Sequence, residues 1–139
     1  MQDTFDLKDE ALLKASGALT GGIGGRSDTC GSMIGASMII GSVCGKGRQD
    51  GDDEKGIQKL FESVKRASDF FNWFKKEHGT VNCREIVTNY GNGVFYDFGI
   101  PDQSKLAREA GVFDKCVEHV QKNVTKAAEI LWDKFYKQD

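Results

Sequence analysis

From Ile57 onward, Leu60, Phe61, Val64, Ala67, Phe71 and Phe74 recur at three- and four-residue steps. Successive residues of an α-helix are turned by about 100°, so this spacing gathers the apolar side chains on one face. It predicts a long amphipathic helix ending near Gly79. A second stripe, Cys116, Val117, Val120, Val124, Ala127, Leu131 and Phe135, predicts a C-terminal helix that Asp114 caps or begins. A shorter helix from about Asn82 to Tyr90 would carry Cys83, Ile86, Val87 and Tyr90 on one side.

Nearer the N-terminus, Asp6 precedes LKDEALLKASGAL, and its carboxylate can accept from the free N–H groups of a first turn. Asp9 and Glu10 favour the positive end of that helix, which fails at Gly21. Ser27, Asp28 and Thr29 are candidate caps for another helix over about 29–44, in which Gly31, Gly35, Ala36 and Gly41 would let a neighbouring backbone come close.

The intervening segments are equally distinct. GGIGGRSDT packs four glycines into five residues and makes a loop, tight or flexible. Residues 46–56 are charged and glycine-rich and read as a solvated loop. Residues 89–104 hold the only proline, Pro101, together with Phe95, Tyr96 and Phe98, which would pin this loop to the core, and Gln103–Glu109 could form a short helical turn. No segment alternates with period two and no internal repeat occurs, so the expected fold is all-α, a bundle of about five helices spanning residues 1–139 as one domain.

Composition narrows the function. With 21 acidic and 19 basic residues the formal net charge is −2, which gives no broad footprint for nucleic acid or an anionic membrane. The least charged stretch, Thr29–Gly45, is 17 residues long and rich in glycine and serine. A bilayer span needs about 20 mostly apolar residues, so a buried helix is expected there and no membrane span. The acidic start MQDTFDLKDEALL does not read as a signal peptide, and the expected compartment is the cytoplasm.

Four cysteines in such a chain point to metal binding, catalysis or ordinary burial before structural disulfides. Cys30, Cys83 and Cys116 each fall in or near the first turn of an expected helix, on its apolar side. Unpaired N–H groups and the helix dipole favour thiolate there, the form that attacks disulfides and binds metals. The same positions also suit a small buried apolar residue, so both readings stand at this point. Cys44 lies fourteen residues after Cys30 on the same expected helix, roughly 21 Å away at about 1.5 Å per residue, and cannot share a site with it. The chain has no C-x-x-C and no C-x-x-C-H, which argues against a thioredoxin-like centre, a zinc ribbon and covalently attached haem.

The pattern GGIGGRSDTCGSMIG, then VNCREIV, then DKCVEHV before a long amphipathic tail resembles the C_GCAxxG_C_C family of redox-active cysteine proteins over nearly the whole chain. Cys30, Gly31 and Gly35 correspond to the family's CGAxxG element, with Ser32 in place of alanine. Cys83, Arg84 and Glu85 correspond to its second element and Cys116 to its third. The pattern also expects an earlier cysteine, upstream of the segment FDLKDEALLKASGAL, which these 139 residues do not contain, as in a shortened form or a member with one thiol fewer. The resemblance implies redox activity, with Cys30, Cys83 and Cys116 as catalytic thiols or metal ligands and Gly31 and Gly35 on the cofactor side. An iron–sulfur cluster or another soft metal is the implied cofactor, as in the similar domain of split-Soret cytochromes. A redox partner protein or oxidoreductase is the implied partner, and a homodimer could complete a three-thiolate site.

Other residues read more plainly. His119, three residues after Cys116, could pair with it as a Cys/His metal ligand but is expected to face solvent, since Val117 and Val120 define the buried stripe, and His78 to interact with the carbonyls that end its helix. The glycine-rich loop lacks G-x-x-x-x-G-K-[ST] and a preceding strand, so its glycines are expected to serve close packing beside Cys30, not a nucleotide. Met33 and Met38 read as core fillers, and Trp73 and Trp132 as anchors of a helix contact or an interface. Two functions follow: a redox protein using distributed cysteines, as a metal site or a thiol/disulfide centre, or a non-catalytic helical interaction module whose cysteines are merely buried.

Overall fold

Helices carry the whole architecture, as the periodicities require. A computed structural model of the protein describes residues 6, 7 and 9–136. It contains six α-helices: α1 (Glu10–Ser16), α2 (Gly31–Cys44), α3 (Glu54–His78), α4 (Cys83–Tyr90), α5 (Pro101–Glu109) and α6 (Val112–Tyr136). Short 3-10 turns occupy Gly17–Leu19 and Arg48–Asp50. Among the described residues there is no β-strand, only an isolated antiparallel bridge between Thr29 and Asn82.

The helix starts follow local hydrogen bonding. Asp9, not Asp6, caps α1, its carboxylate accepting from the Leu12 N–H at 2.9 Å. Asp53 caps α3 through the Gly56 N–H, so that helix begins inside the segment expected to be a solvated loop. Asn82 caps α4 through the Glu85 N–H. The candidate turn at Gln103–Glu109 is a full helix with Pro101 in its first turn, where a missing N–H costs nothing. α6 starts at Val112, two residues before Asp114.

α2 packs against α3 and α6, and α4 and α5 pack against α6. Two apolar clusters result. One joins Ile40, Cys44, Phe70, Phe74, Ala127 and Leu131 and reaches Cys30. The other joins Cys83, Val87, Ala107 and Val112, with Phe95, Tyr96, Phe98 and Cys116 packed against it. The three aromatics of the 89–104 loop therefore do pin it to the core.

Both long stripes need correction. On α3, Phe70 and Phe74 are fully buried, but Ile57, Leu60, Phe61 and Val64 are exposed. Arg66 pairs with Asp133, Lys134 with Glu62 and Lys122 with Glu77, so α3 and α6 run antiparallel. That pairing brings the last described turn of α6 opposite Glu62 and leaves the first turns of α3 beyond it. On α6 the buried residues are Val112, His119, Asn123, Ala127 and Leu131, whereas Val117 and Val120 are 56% and 43% exposed. The inner face is rotated from the valine stripe onto a neighbouring one that carries two polar residues.

Candidate functional site

Two backbone crossings set the site. Ser27, Asp28 and Thr29 do not cap α2, because they are engaged with the start of α4: the Cys83 N–H donates to the Asp28 carbonyl at 2.5 Å and the Arg84 N–H to the Ser27 carbonyl at 3.0 Å. Cys30 is itself the N-cap residue of α2, and its N–H donates to the Val81 carbonyl at 2.8 Å. With Thr29 opposite Asn82, antiparallel pairing sets Cys30 and Cys83 diagonally on the same side of the crossing.

Glycine makes the crossing tight enough. Gly22 has φ +71°, and a Cβ built there would lie 2.7 Å from the Cys83 Cβ and 2.8 Å from the Asp28 nitrogen. At Gly31 a Cβ would lie 2.3 Å from the Leu19 carbonyl oxygen, so the first residue of α2 abuts the preceding turn. The glycines beside Cys30 thus serve close packing. Replacing Gly22 with alanine is expected to destabilise the fold by about 2–5 kcal/mol, combining positive-φ strain with a clash against backbone. Urea unfolding measures this, and wild-type stability in G22A would contradict the described crossing.

Cys116 is the fifth residue of α6. Cys30, Cys83 and Cys116 all line one cavity of about 730 Å³, at the seam between the two apolar clusters. Cys44 lies at the far end of α2, buried in the first cluster, and burial pushes its thiol up.

Electrostatics run against the thiolate expectation at two of the three. Burial first, and then the neighbouring cysteines, push the Cys83 thiol up to about 12. Burial and Cys30 push Cys116 up to about 11. Desolvation outweighs whatever the helix N-termini supply, so both are protonated thiols at neutral pH.

Cys30 differs in its partners. Its Sγ is 3.5 Å from His119 Nε2 and 3.2 Å from Ser32 Oγ. The far side of the imidazole, Nδ1, is 3.0 Å from the Tyr90 hydroxyl, and the ring meets Phe74 edge-on at 5.2 Å. His119 is therefore 4% exposed and does not face solvent. Burial, with His78 and Lys122 adding to it, holds its imidazole down to about 4, so it is neutral. Burial raises Tyr90 as well, helped by Cys116 and Cys30, and keeps the phenol protonated.

A second layer fixes this arrangement. Asn123, buried one turn beyond His119, donates through Nδ2 to Ser32 Oγ at 2.8 Å, and its Oδ1 is 2.9 Å from His78 Nε2. His78 thus bonds Asn123 and packs against His119 at 3.9 Å between ring centroids, in place of the expected contact with its own helix carbonyls. Trp73 stands edge-on to His78, and the exposed Trp132 stacks on Tyr136. Among the described residues no group of three or more His, Cys, Asp or Glu side chains is placed to hold a metal ion.

The model of the family described as "Putative redox-active protein (C_GCAxxG_C_C)" matches residues 1–130. The chain belongs to the C_GCAxxG_C_C family. No curated protein and no solved structure matches the chain significantly. In this family member Cys30, Cys83 and Cys116 come from three separate elements and line one cavity only in the folded chain. His119, Tyr90, Ser32 and Asn123 complete the surroundings of Cys30 and were not assigned to the site from sequence. The available signal was the i, i+3 step from Cys116 to His119, which puts both on one face of α6. No described helix is long and apolar enough to cross a membrane.

Proposed function

We propose that the protein carries reducing equivalents through a thiol/disulfide centre in which Cys30 attacks an external disulfide and Cys83 or Cys116 closes the internal one. The observation that carries this reading is the confinement of three free cysteines from α2, α4 and α6 to one cavity, with Cys30 alone held against a neutral imidazole. Because the Tyr90 phenol keeps its proton, it can donate to His119 Nδ1, leaving the hydrogen on Nε2 to donate to the Cys30 sulfur. This donor holds the Cys30 sulfur without placing a cation in the core.

The balance is that of thiol–disulfide exchange. Cys30 sulfur bonds to one sulfur of the external disulfide, whose S–S bond breaks and releases the first thiol with the proton Cys30 lost. A second cysteine sulfur then bonds to Cys30, the mixed disulfide breaks, and a second thiol leaves with the proton that this cysteine lost. Two protein thiols are oxidised and one disulfide is reduced to two thiols.

Titrating thiols in the denatured protein before and after mild oxidation tests this. Four thiols are expected before and two after, in a monomeric product. An unchanged count would overturn the proposal and favour an interaction module with buried cysteines. Anaerobic reconstitution with iron and sulfide addresses the cluster alternative, for which Cys30, Cys83 and Cys116 would be the ligands. Stable visible absorption lost on their replacement by serine would favour it over the thiol centre.

A further inference from the structure

The cavity over Cys30 is larger than a dithiol needs. Its volume of about 730 Å³ falls within the roughly 300–1,000 Å³ of small-molecule sites. Although 29% of the chain is charged, no Lys, Arg, Asp or Glu is among the described residues that line it. Leu19, Ile39, Phe98, Phe113, Val120 and Val124 supply apolar wall. Its polar side chains are mostly engaged within the protein: Ser16 donates to the Leu13 carbonyl, Thr20 to the Gly17 carbonyl, and Asn123 to Ser32.

Two further observations bear on the occupant. Cys30 and Cys83 are buried, so the disulfide of a folded partner protein would have to enter the cavity to meet them, whereas a small molecule enters readily. At Gly35, in the middle of α2, a Cβ would meet nothing within 4 Å, and this glycine lines the cavity. It leaves open space where an ordinary helix residue would fill it. The exposed Val120 and Val124, which hydropathy assigns to the core, are part of this wall.

We infer that this cavity is a binding site for an uncharged, largely apolar small molecule, and that the external disulfide reduced at Cys30 is of that class. An anionic or zwitterionic disulfide would lose its hydration against a lining that offers no countercharge. The inference rests on the thiol reading for the reaction but not for the binding.

The test uses the full, reduced chain and the uncharged fluorophore N-phenyl-1-naphthylamine. Saturable binding of one probe per chain is expected. Gly35→Leu, which places a side chain in the open space, and Val120→Glu, which adds a charge to the wall at a partly exposed position, are each expected to weaken it by at least about tenfold. Circular dichroism and urea unfolding check that both variants remain folded, and if G35L does not fold, V120E alone decides. Uncharged dithiodipyridine is expected to modify Cys30 at least about tenfold faster than dianionic dithiobis(nitrobenzoate), after correction for their rates with free cysteine. Absence of saturable probe binding, binding unchanged in a folded variant, or equal corrected rates would overturn the inference. A thiol count that still falls from four to two would then leave the thiol centre standing. Probe binding with no loss of thiols would remove the thiol centre and keep the site.

Discussion

Cys30→Ser is expected to slow the reaction of the native protein with a small disulfide by at least about 100-fold and to abolish the internal disulfide. The remaining site thiols are poor replacements for attack on an external disulfide, where no tethered partner sulfur raises the local concentration. Burial pushes Cys83 up to about 12 and Cys116 up to about 11, so both hold their protons at pH 7. Serine preserves size and can keep contact with Ser32 and His119, so the stability change should stay within about 1 kcal/mol. Cys44→Ser is the matched control. It should leave the rate unchanged while destabilising the first cluster by about 1–3 kcal/mol, because a hydroxyl replaces a thiol at a buried position. Stopped-flow absorbance of the released thiol gives the rates. A wild-type rate in C30S would remove Cys30 from the attacking role.

The second large effect is loss of stability in acid. His119 titrates at about 4 in the folded protein against an ordinary value of 6.5, so the fold prefers its neutral form. Above pH 6.5 the preference is fully present. As the pH falls from 6.5 to about 4, the unfolded chain binds a proton that the folded chain refuses, and stability drops by about 3 kcal/mol. Below about 4 both states are protonated and this contribution stops changing. The paired carboxylates of Glu62 and Asp133 are held low by Lys134 and Arg66 respectively, so they also lose stability with acid, but mainly below about pH 4.5. His119→Gln, whose amide can still reach Tyr90 and Cys30, should flatten the slope between pH 7 and 4.5. Urea unfolding across that range measures it, and equal slopes in the two proteins would contradict a buried neutral His119.

Hydrophobic spacing was enough to recognise α3, α4 and α6, and glycine clusters marked where the chain turns. It was not enough to orient α6. Cys116, Val117, Val120 and Val124 form one apolar arc, while Cys116, His119, Asn123 and Ala127 form the arc next to it, and hydropathy alone selects the first. The fold takes the second because His119 and Asn123 find Tyr90, Cys30, Ser32 and His78 as partners, and those partners lie 29 to 91 residues away in sequence. Pairwise chemistry at such separations leaves no periodic trace. The exposed valines and the open space at Gly35 belong to the same feature, a cavity wall, which a rule of apolar residues inside reads as core.

The cysteines show a similar division. Their positions near helix starts were legible, and so was the separation of Cys44. Their charge state was not, because it depends on how much water the fold removes. Helix N-termini favour thiolate by fractions of a kcal/mol at exposed sites, whereas burial is the largest cause that pushes Cys83 up to about 12. Only the packing of Gly22 against Cys83, and of α6 across the cavity, makes that burial visible.

The most direct test of the thiol centre is to oxidise the protein mildly, block remaining thiols, digest it and map the disulfide by mass spectrometry. A single intramolecular bond joining Cys30 to Cys83 or to Cys116, with Cys44 and the remaining one of that pair recovered as blocked thiols, is the expected result. A bond to Cys44, bonds only between chains, or four blocked cysteines would contradict it.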